Sequence, residues 1–304
     1  MKILVFGACG TLGSYLVNEL KMREYDVYTS DVMNRPGSKY MRCNISNYRE
    51  VERIFNDQQF DFVYNLAAEF GRANGEDYYE NMWKTNVIGL KNILVLQAKH
   101  RFKLIHMSSS EVYGDFDGVM KEDVMDKYPI KQTNDYAISK WVNELQIINA
   151  QKMYGTDIVR IRPFNAYGPG EYYHPYRSMI CKFCYWALHN IPYIVYLNHY
   201  RTSTYVTDMV NTLANVIENF KPGEVYNIAG DEYHDIKICS DIILRYLGKD
   251  DSLVTYKEAE EFTTKSKRVD CSKAKRDLNH NPKVTLEEGI PKTIEWMKEV
   301  YNVK

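Results

Sequence analysis

The sequence predicts an α/β protein built on a doubly wound parallel sheet, and three observations carry that reading. Short apolar strands alternate with segments of helical period through roughly the first 160 residues. A glycine-rich turn follows the first strand at once, and no internal repeat or low-complexity linker breaks the alternation. At 304 residues the chain is long enough for one large domain and a smaller one.

Lys2 to Phe6 is a brief β-rich run, and Gly7-Ala-Cys-Gly-Thr-Leu-Gly13 comes directly after it. A periodic segment to about Arg23 then reads as a helix. Strand, glycine turn and helix together make a dinucleotide fingerprint of the Rossmann type. Gly7 permits the tight turn, Gly10 lets backbone amides approach a pyrophosphate, and Gly13 lets the helix pack on the strand. Thr11 and Leu12 open the helix, whose amino-terminus faces the phosphates.

A second strand, Asp26 to Ser30, ends at Asp31, eighteen positions after Gly13. An acid there suits the adenosine ribose hydroxyls and repels a 2′-phosphate, which favours NAD over NADP; Arg35, close by, counts the other way. Asp31 read without its context would be a loop acid capping a turn. Asp61 to Leu66 is the third strand, leading into Ala67-Ala68, where a cofactor can lie against the backbone. A long helix runs from roughly Glu80 to Ala98. Phe102 to Met107 is the fourth strand, and Ser108-Ser-Ser-Glu-Val-Tyr-Gly114 leaves its carboxyl end, where ligands sit in an open α/β sheet. A helix containing Tyr136 runs to about Met153, followed by a fifth strand, Asp157 to Ile161.

Beyond Asn165 the pattern loosens. Short strands (Tyr193 to Tyr196, Val225 to Ile228) mix with helices (Thr207 to Phe220, Ile236 to Leu247, Leu286 to Val300). The expected division is a dinucleotide-binding domain at 1–164, with return segments near 201–220 and 285–304. Residues 165–200 and 221–284 then form a smaller, partly discontinuous α/β substrate-binding domain.

A net charge of −1 points to no nucleic-acid or membrane partner. No apolar stretch could span a bilayer, and the start lacks signal-peptide architecture. The six cysteines form no paired framework; Cys181 and Cys184 make a lone C-x-x-C on a helical segment and read as buried thiols. A reducing cytoplasm and no metal fit this pattern. The 26 tyrosines, several clustered at 172–185, suggest a stacking or hydroxyl-rich pocket or a compositional bias.

Tyr136-Ala-Ile-Ser-Lys140 concentrates the chemistry. Side chains four apart share a helix face, so a phenol and an ammonium can share a site. A cation held near the phenol favours the tyrosinate and brings its pKa toward the working range.

With these residues, the chain resembles the extended short-chain dehydrogenase/reductases, specifically the NAD-dependent sugar-nucleotide epimerase/dehydratase family. The resemblance rests on Gly7, Gly10 and Gly13, Asn65-Leu-Ala-Ala68, Thr85-Asn-Val-x-Gly89 and Ser109-Ser-Glu-Val-Tyr-Gly114. Tyr136-x-x-x-Lys140, Arg162-Pro-x-Asn165-x-Tyr-Gly-Pro169 and Arg201-x-x-x-Tyr-Val-x-Asp208 complete it. It implies NAD as cofactor, with Asn86 and Leu66 among the cofactor contacts. It further implies Tyr136 as the base for a sugar hydroxyl, usually at C4, Lys140 as holder of the cofactor ribose, and Ser109 as hydrogen-bond partner of the same hydroxyl. Asn165 and Arg201 resemble ligands of the substrate diphosphate, and Arg268 another nucleotide contact. Ser109 capping a turn, Asn165 bracing a loop and the arginines as surface charges are the structural alternatives.

Ser109-Ser110-Glu111 sets the expected reaction. A ketone at C4 acidifies the C5 hydrogen, and Glu111 stands where the 4,6-dehydratases of this family carry their base. The triplet resembles the Thr-Ser-Glu of GDP-mannose dehydratases and UDP-glucuronate decarboxylases more than the Thr-Asp-Glu of the dTDP-glucose type. The expected activity is therefore oxidation of a nucleotide-diphosphate hexose or heptose at C4, the 4-keto sugar being released or dehydrated. A decarboxylase, a 4-epimerase and a non-catalytic NAD-sensing module are the alternatives. A homodimer is expected by analogy.

Overall fold

The computed structural model describes residues 1–258 and 263–303. Residues 259–262 and 304, which fall within the expected ranges 221–284 and 285–304, lie outside the described residues. Among the described residues, seven strands form one parallel sheet: β1 Lys2–Phe6, β2 Asp26–Asp31, β3 Tyr40–Arg42, β4 Phe62–Asn65, β5 Lys103–Met107, β6 Ile158–Pro163 and β7 Val225–Ile228. Their spatial order is β7-β6-β5-β4-β1-β2-β3. The winding reverses between β1 and β4, which opens a crevice at the carboxyl ends of the strands.

Alternation along each strand serves two cores. Ile3 and Val5 pack with Leu16, Val17 and Leu20 of the Thr11–Met22 helix on one face. Leu4 and Phe6 pack with Val51, Ile54, Phe55 and Leu90 on the other. Helices therefore cover both faces, as a sheet of near-continuous apolar strands requires.

The long helix expected at 80–98 is interrupted. It runs as Tyr79–Met82, a π-helical stretch Trp83–Ile88, and Gly89–His100. Within the wide turn the Asn86 carbonyl accepts from the Asn143 side chain at 2.7 Å. π-bulges of this kind concentrate at functional sites.

The second region departs from expectation in one place. Val225–Ile228 joins the main sheet, pairing in parallel with β6 from Val225↔Arg160 to Ile228↔Pro163. The final helix, Leu286–Tyr301, packs on the Met179–Leu188 and Ile236–Tyr246 helices, and its Gly289 and Lys292 lie against Tyr205 of the 201–220 return segment. Its stripe of Leu286, Ile290, Ile294 and Met297 meets their apolar faces. The tyrosine cluster seals this junction: Tyr173 stacks on Tyr185 at 3.8 Å, and the Tyr301 hydroxyl accepts from the Tyr173 amide at 2.7 Å. The Val206–Asn215 helix does return to the first domain, packing on Thr11–Met22 and accepting from Arg23 at the Asn215 side chain, 2.9 Å away.

Cys181 and Cys184 are buried free thiols. No helix among the described residues is long and apolar enough to cross a membrane.

Candidate active site

A cavity of about 580 Å³ lies along the carboxyl ends of β1, β2, β4, β5 and β6. Gly7, Gly10, Thr11, Leu12 and Gly13 line it, with Asp31, Leu66, Ala67, Ala68, Tyr136 and Lys140. Gly7 has φ +76° and backs onto the Leu66–Ala67 peptide, where an added Cβ would come within 2.6 Å of the Ala67 nitrogen. A Cβ on Gly13 would come within 2.1 Å of the Gly7 carbonyl oxygen, so the helix seats on the turn only with glycine there. Gly10 sits at the helix cap, and no side-chain oxygen caps it. The first-turn amides are thus left for an anion.

Asp31 closes one end of the cavity. Its carboxylate accepts from the Cys9 amide at 2.9 Å and the Met33 amide at 3.4 Å. Over the phosphate cradle, the Thr11 hydroxyl donates to the Gly170 carbonyl at 3.1 Å, fastening the helix to the turn that begins the second region.

At the other end Tyr136 and Lys140 share a face of the Asp135–Tyr154 helix. The Lys140 ammonium is 5.9 Å from the Tyr136 ring centre and donates to the Met107 carbonyl at 2.9 Å. Burial raises the phenol's pKa and the Glu111 charge raises it further; the neighbouring Ser109 hydroxyl lowers it in part, leaving it pushed up to about 12. Lys140 itself is brought down to about 8 by burial, against the pull of Glu144.

Ser109 caps the short turn Ser110–Tyr113, accepting from the Glu111 amide at 3.1 Å, and Ser110 is buried in that turn. The capping alternative and the place beside Tyr136 are therefore both real. Glu111 pairs with Lys267, a lysine only 3 % exposed. Burial alone would raise the Glu111 carboxyl, but Lys267, Arg72 and Arg201 hold it below the usual range.

Lys267 was not among the residues singled out from sequence; Arg268 was. Arg268 begins the Arg268–Val269 strand with its side chain exposed, while Lys267 faces inward. Side chains alternate along an extended segment, so these neighbours face opposite sides. Asn165 and Arg201 are drawn together at the Tyr200–Thr202 strand. Asn165, at φ +36°, donates to the Thr202 carbonyl at 3.4 Å, and Arg201 donates to the Tyr200 and Lys265 carbonyls at 2.8 and 3.1 Å.

Asn86, expected as a cofactor contact, turns its side chain to the loop after β4 and to the neighbouring helix. Its side chain accepts from the Glu69 amide and donates to the Glu69 carbonyl, both at 2.9 Å, and reaches the Ser139 hydroxyl at 2.9 Å. It braces the loop after β4 from behind.

A cradle that leaves helix amides to a diphosphate and an acid to a ribose, with a phenol and an ammonium at its far end, belongs to a dinucleotide-dependent enzyme. The protein is of that class. More particularly, residues 3–229 match the model of the NAD dependent epimerase/dehydratase family, and the chain belongs to that family. NAD is its cofactor, and the glycine cradle and Asp31 fit it.

Among similar proteins, a UDP-N-acetyl-alpha-D-glucosaminuronate decarboxylase of Bacillus cytotoxicus is 28% identical, covering 99% of both chains. The human dTDP-D-glucose 4,6-dehydratase is 26% identical over 99% of this chain and 91% of its own. The solved UDP-glucose 4-epimerase of Thermotoga maritima, crystallised with UDP-glucose, superposes with a TM-score of 0.89 at 25% identity, covering 99% of this chain and all of the other.

Proposed function

We propose that this enzyme oxidises the C4 hydroxyl of a nucleotide-diphosphate hexose or heptose to a 4-keto sugar. The observation that carries the reading is the Tyr136 phenol, with the Ser109 hydroxyl beside it, on the wall of the cavity that also holds Lys140 and the glycine cradle. Bound NAD supplies the hydride acceptor. Ser109 orients the sugar hydroxyl and Tyr136 takes its proton, while Arg201 and Asn165 stand on the side of the second region, where a diphosphate would lie. The relatives' names, a decarboxylase, a dehydratase and an epimerase, all specify nucleotide sugars, and each of those reactions can proceed through the same ketone.

The fate of the ketone turns on Glu111. Dehydration needs a base for the C5 proton, and the pairing with Lys267 makes Glu111 a weaker one. This supports release of the 4-keto sugar ahead of dehydration. A second reading is decarboxylation of a nucleotide uronate, which the cations Lys267, Arg72 and Arg201 around one carboxylate favour. The test is to offer purified enzyme a panel of nucleotide sugars and weigh the products. Loss of hydrogen alone is expected; loss of water, loss of carbon dioxide or an isomer of unchanged mass would move the assignment to dehydratase, decarboxylase or 4-epimerase. If no nucleotide sugar is altered, the proposal fails.

A further inference from the structure

Glu144 is fully buried on the Asp135–Tyr154 helix, one turn beyond Lys140 and two beyond Tyr136, so the three side chains share a face. A carboxylate placed there must be paired. Arg162 meets it with both prongs, Nε to Oε1 at 2.8 Å and Nη2 to Oε2 at 2.7 Å. Arg160 adds Nη1 to Oε2 at 3.0 Å, and the Ser108 hydroxyl donates to Oε1 at 2.5 Å. Burial alone would raise this carboxyl, but Arg162, Arg160 and Ser108 together hold it at about 2.

Ser108 begins the loop that carries Ser109 and Glu111. The loop's far end is gripped as well: Arg162 Nη1 donates to the Tyr113 hydroxyl at 2.9 Å and to the Glu122 carbonyl at 3.0 Å, and Tyr113 donates to Asn227 at 2.7 Å. One carboxylate thus reaches both ends of the Ser108–Tyr113 segment, directly through Ser108 and through Arg162 to Tyr113. The charged and titratable groups around Lys140 are few. Tyr136 and Glu144 lie on its own helix, His106 comes from β5, and Arg160 and Arg162 come from β6. Burial and the nearby Lys140 hold His106 well below its usual range, and so neutral, while both arginines are bound to Glu144. Glu144, one turn along the helix, is the anion whose charge raises the Lys140 pKa against the effect of burial.

We propose that Glu144 is a positioning residue, serving Ser109 and Glu111 by clamping both ends of their loop and serving Lys140 by keeping it charged. This rests on the reading that Tyr136 and Lys140 carry out the oxidation.

The test follows the Lys140 titration by NMR in protein labelled with ¹³C at the lysine ε-carbons, the Lys140 signal being the one lost in Lys140→Arg. In Glu144→Gln the midpoint falls by about one pH unit or more, and the alkaline limb of the kcat profile moves with it while KM stays near the wild-type value. Arg160→Gln, which removes one cation from Glu144, moves the midpoint upward. A Glu144→Gln midpoint equal to the wild-type one overturns the proposal. Should that variant not fold, an Arg160→Gln midpoint that does not rise overturns it. The titration needs no turnover. An inactive panel with a shifted midpoint therefore defeats the oxidation reading and keeps the Glu144 link, whereas an active enzyme with an unmoved midpoint defeats the link alone.

Discussion

The buried ammonium of Lys267 is the counter-ion of the Glu111 carboxylate, joining a segment near the end of the second region to the loop that leaves β5. Glu111 has a folded-state pKa below its ordinary value, so it contributes stability above the unfolded carboxylate pKa, and that contribution is lost as pH falls through the lower folded value. Lys267→Met leaves the carboxylate without its partner and costs about 3 kcal/mol at neutral pH. Denaturant unfolding across pH checks this: the gap between wild type and variant narrows in acid. A gap that is constant with pH contradicts the pairing.

Tyr136→Phe removes the proton acceptor and little else, since the ring remains in its place on the helix. The expected result is a fall in kcat of about 10²–10⁴-fold, with NAD affinity nearly unchanged by calorimetry. Unchanged turnover would remove Tyr136 from the chemistry.

The two glycines of the cradle predict different phenotypes. At Gly13 a methyl group would collide with the Gly7 carbonyl, so Gly13→Ala lowers both thermal stability and NAD affinity. Next to Gly10 the nearest atom is 3.4 Å away, an ordinary contact. Gly10→Ala therefore keeps its melting temperature and loses NAD affinity by about tenfold or more, because the methyl group intrudes only on the bound diphosphate. Melting curves with and without NAD separate the two.

Ile138, Trp141, Leu145 and Ile148 form a stripe at helical spacing, with Ile138, Leu145 and Ile148 exposed, and Trp83, Ile88 and Val95 are exposed on the neighbouring helical segments. We propose that a second copy of the chain covers this face. Leu145→Glu then converts a dimer to a monomer in light scattering after gel filtration. A wild-type protein that is monomeric at micromolar concentration excludes the dimer.

How far the sequence revealed the molecule depends on how local each signal was. The glycine turn, the strand-helix alternation and the acid at the end of β2 are written in short stretches and were legible. The three-residue strand Tyr40–Arg42 was too brief to carry a pattern. Val225–Ile228 read correctly as a strand, but its partner Ile158–Pro163 lies some sixty residues earlier, and nothing local names that pairing. The same limit hid Lys267, whose inward face follows from the strand's register and not from its composition. The spacing of Tyr136 and Lys140 is local and legible, whereas the burial that raises the Tyr136 phenol's pKa is a property of the tertiary structure that no short stretch carries.

Removal of hydrogen from C4 of a nucleotide sugar at the Tyr136 site is the central step of the proposed reaction. It is tested most directly in a single turnover with enzyme in excess and the sugar deuterated at C4 or at C5. Oxidation at C4 predicts a rise in reduced-nicotinamide absorbance that deuterium at C4 slows and deuterium at C5 does not. No rise with any nucleotide sugar, or a slowing caused by the C5 label alone, contradicts the account.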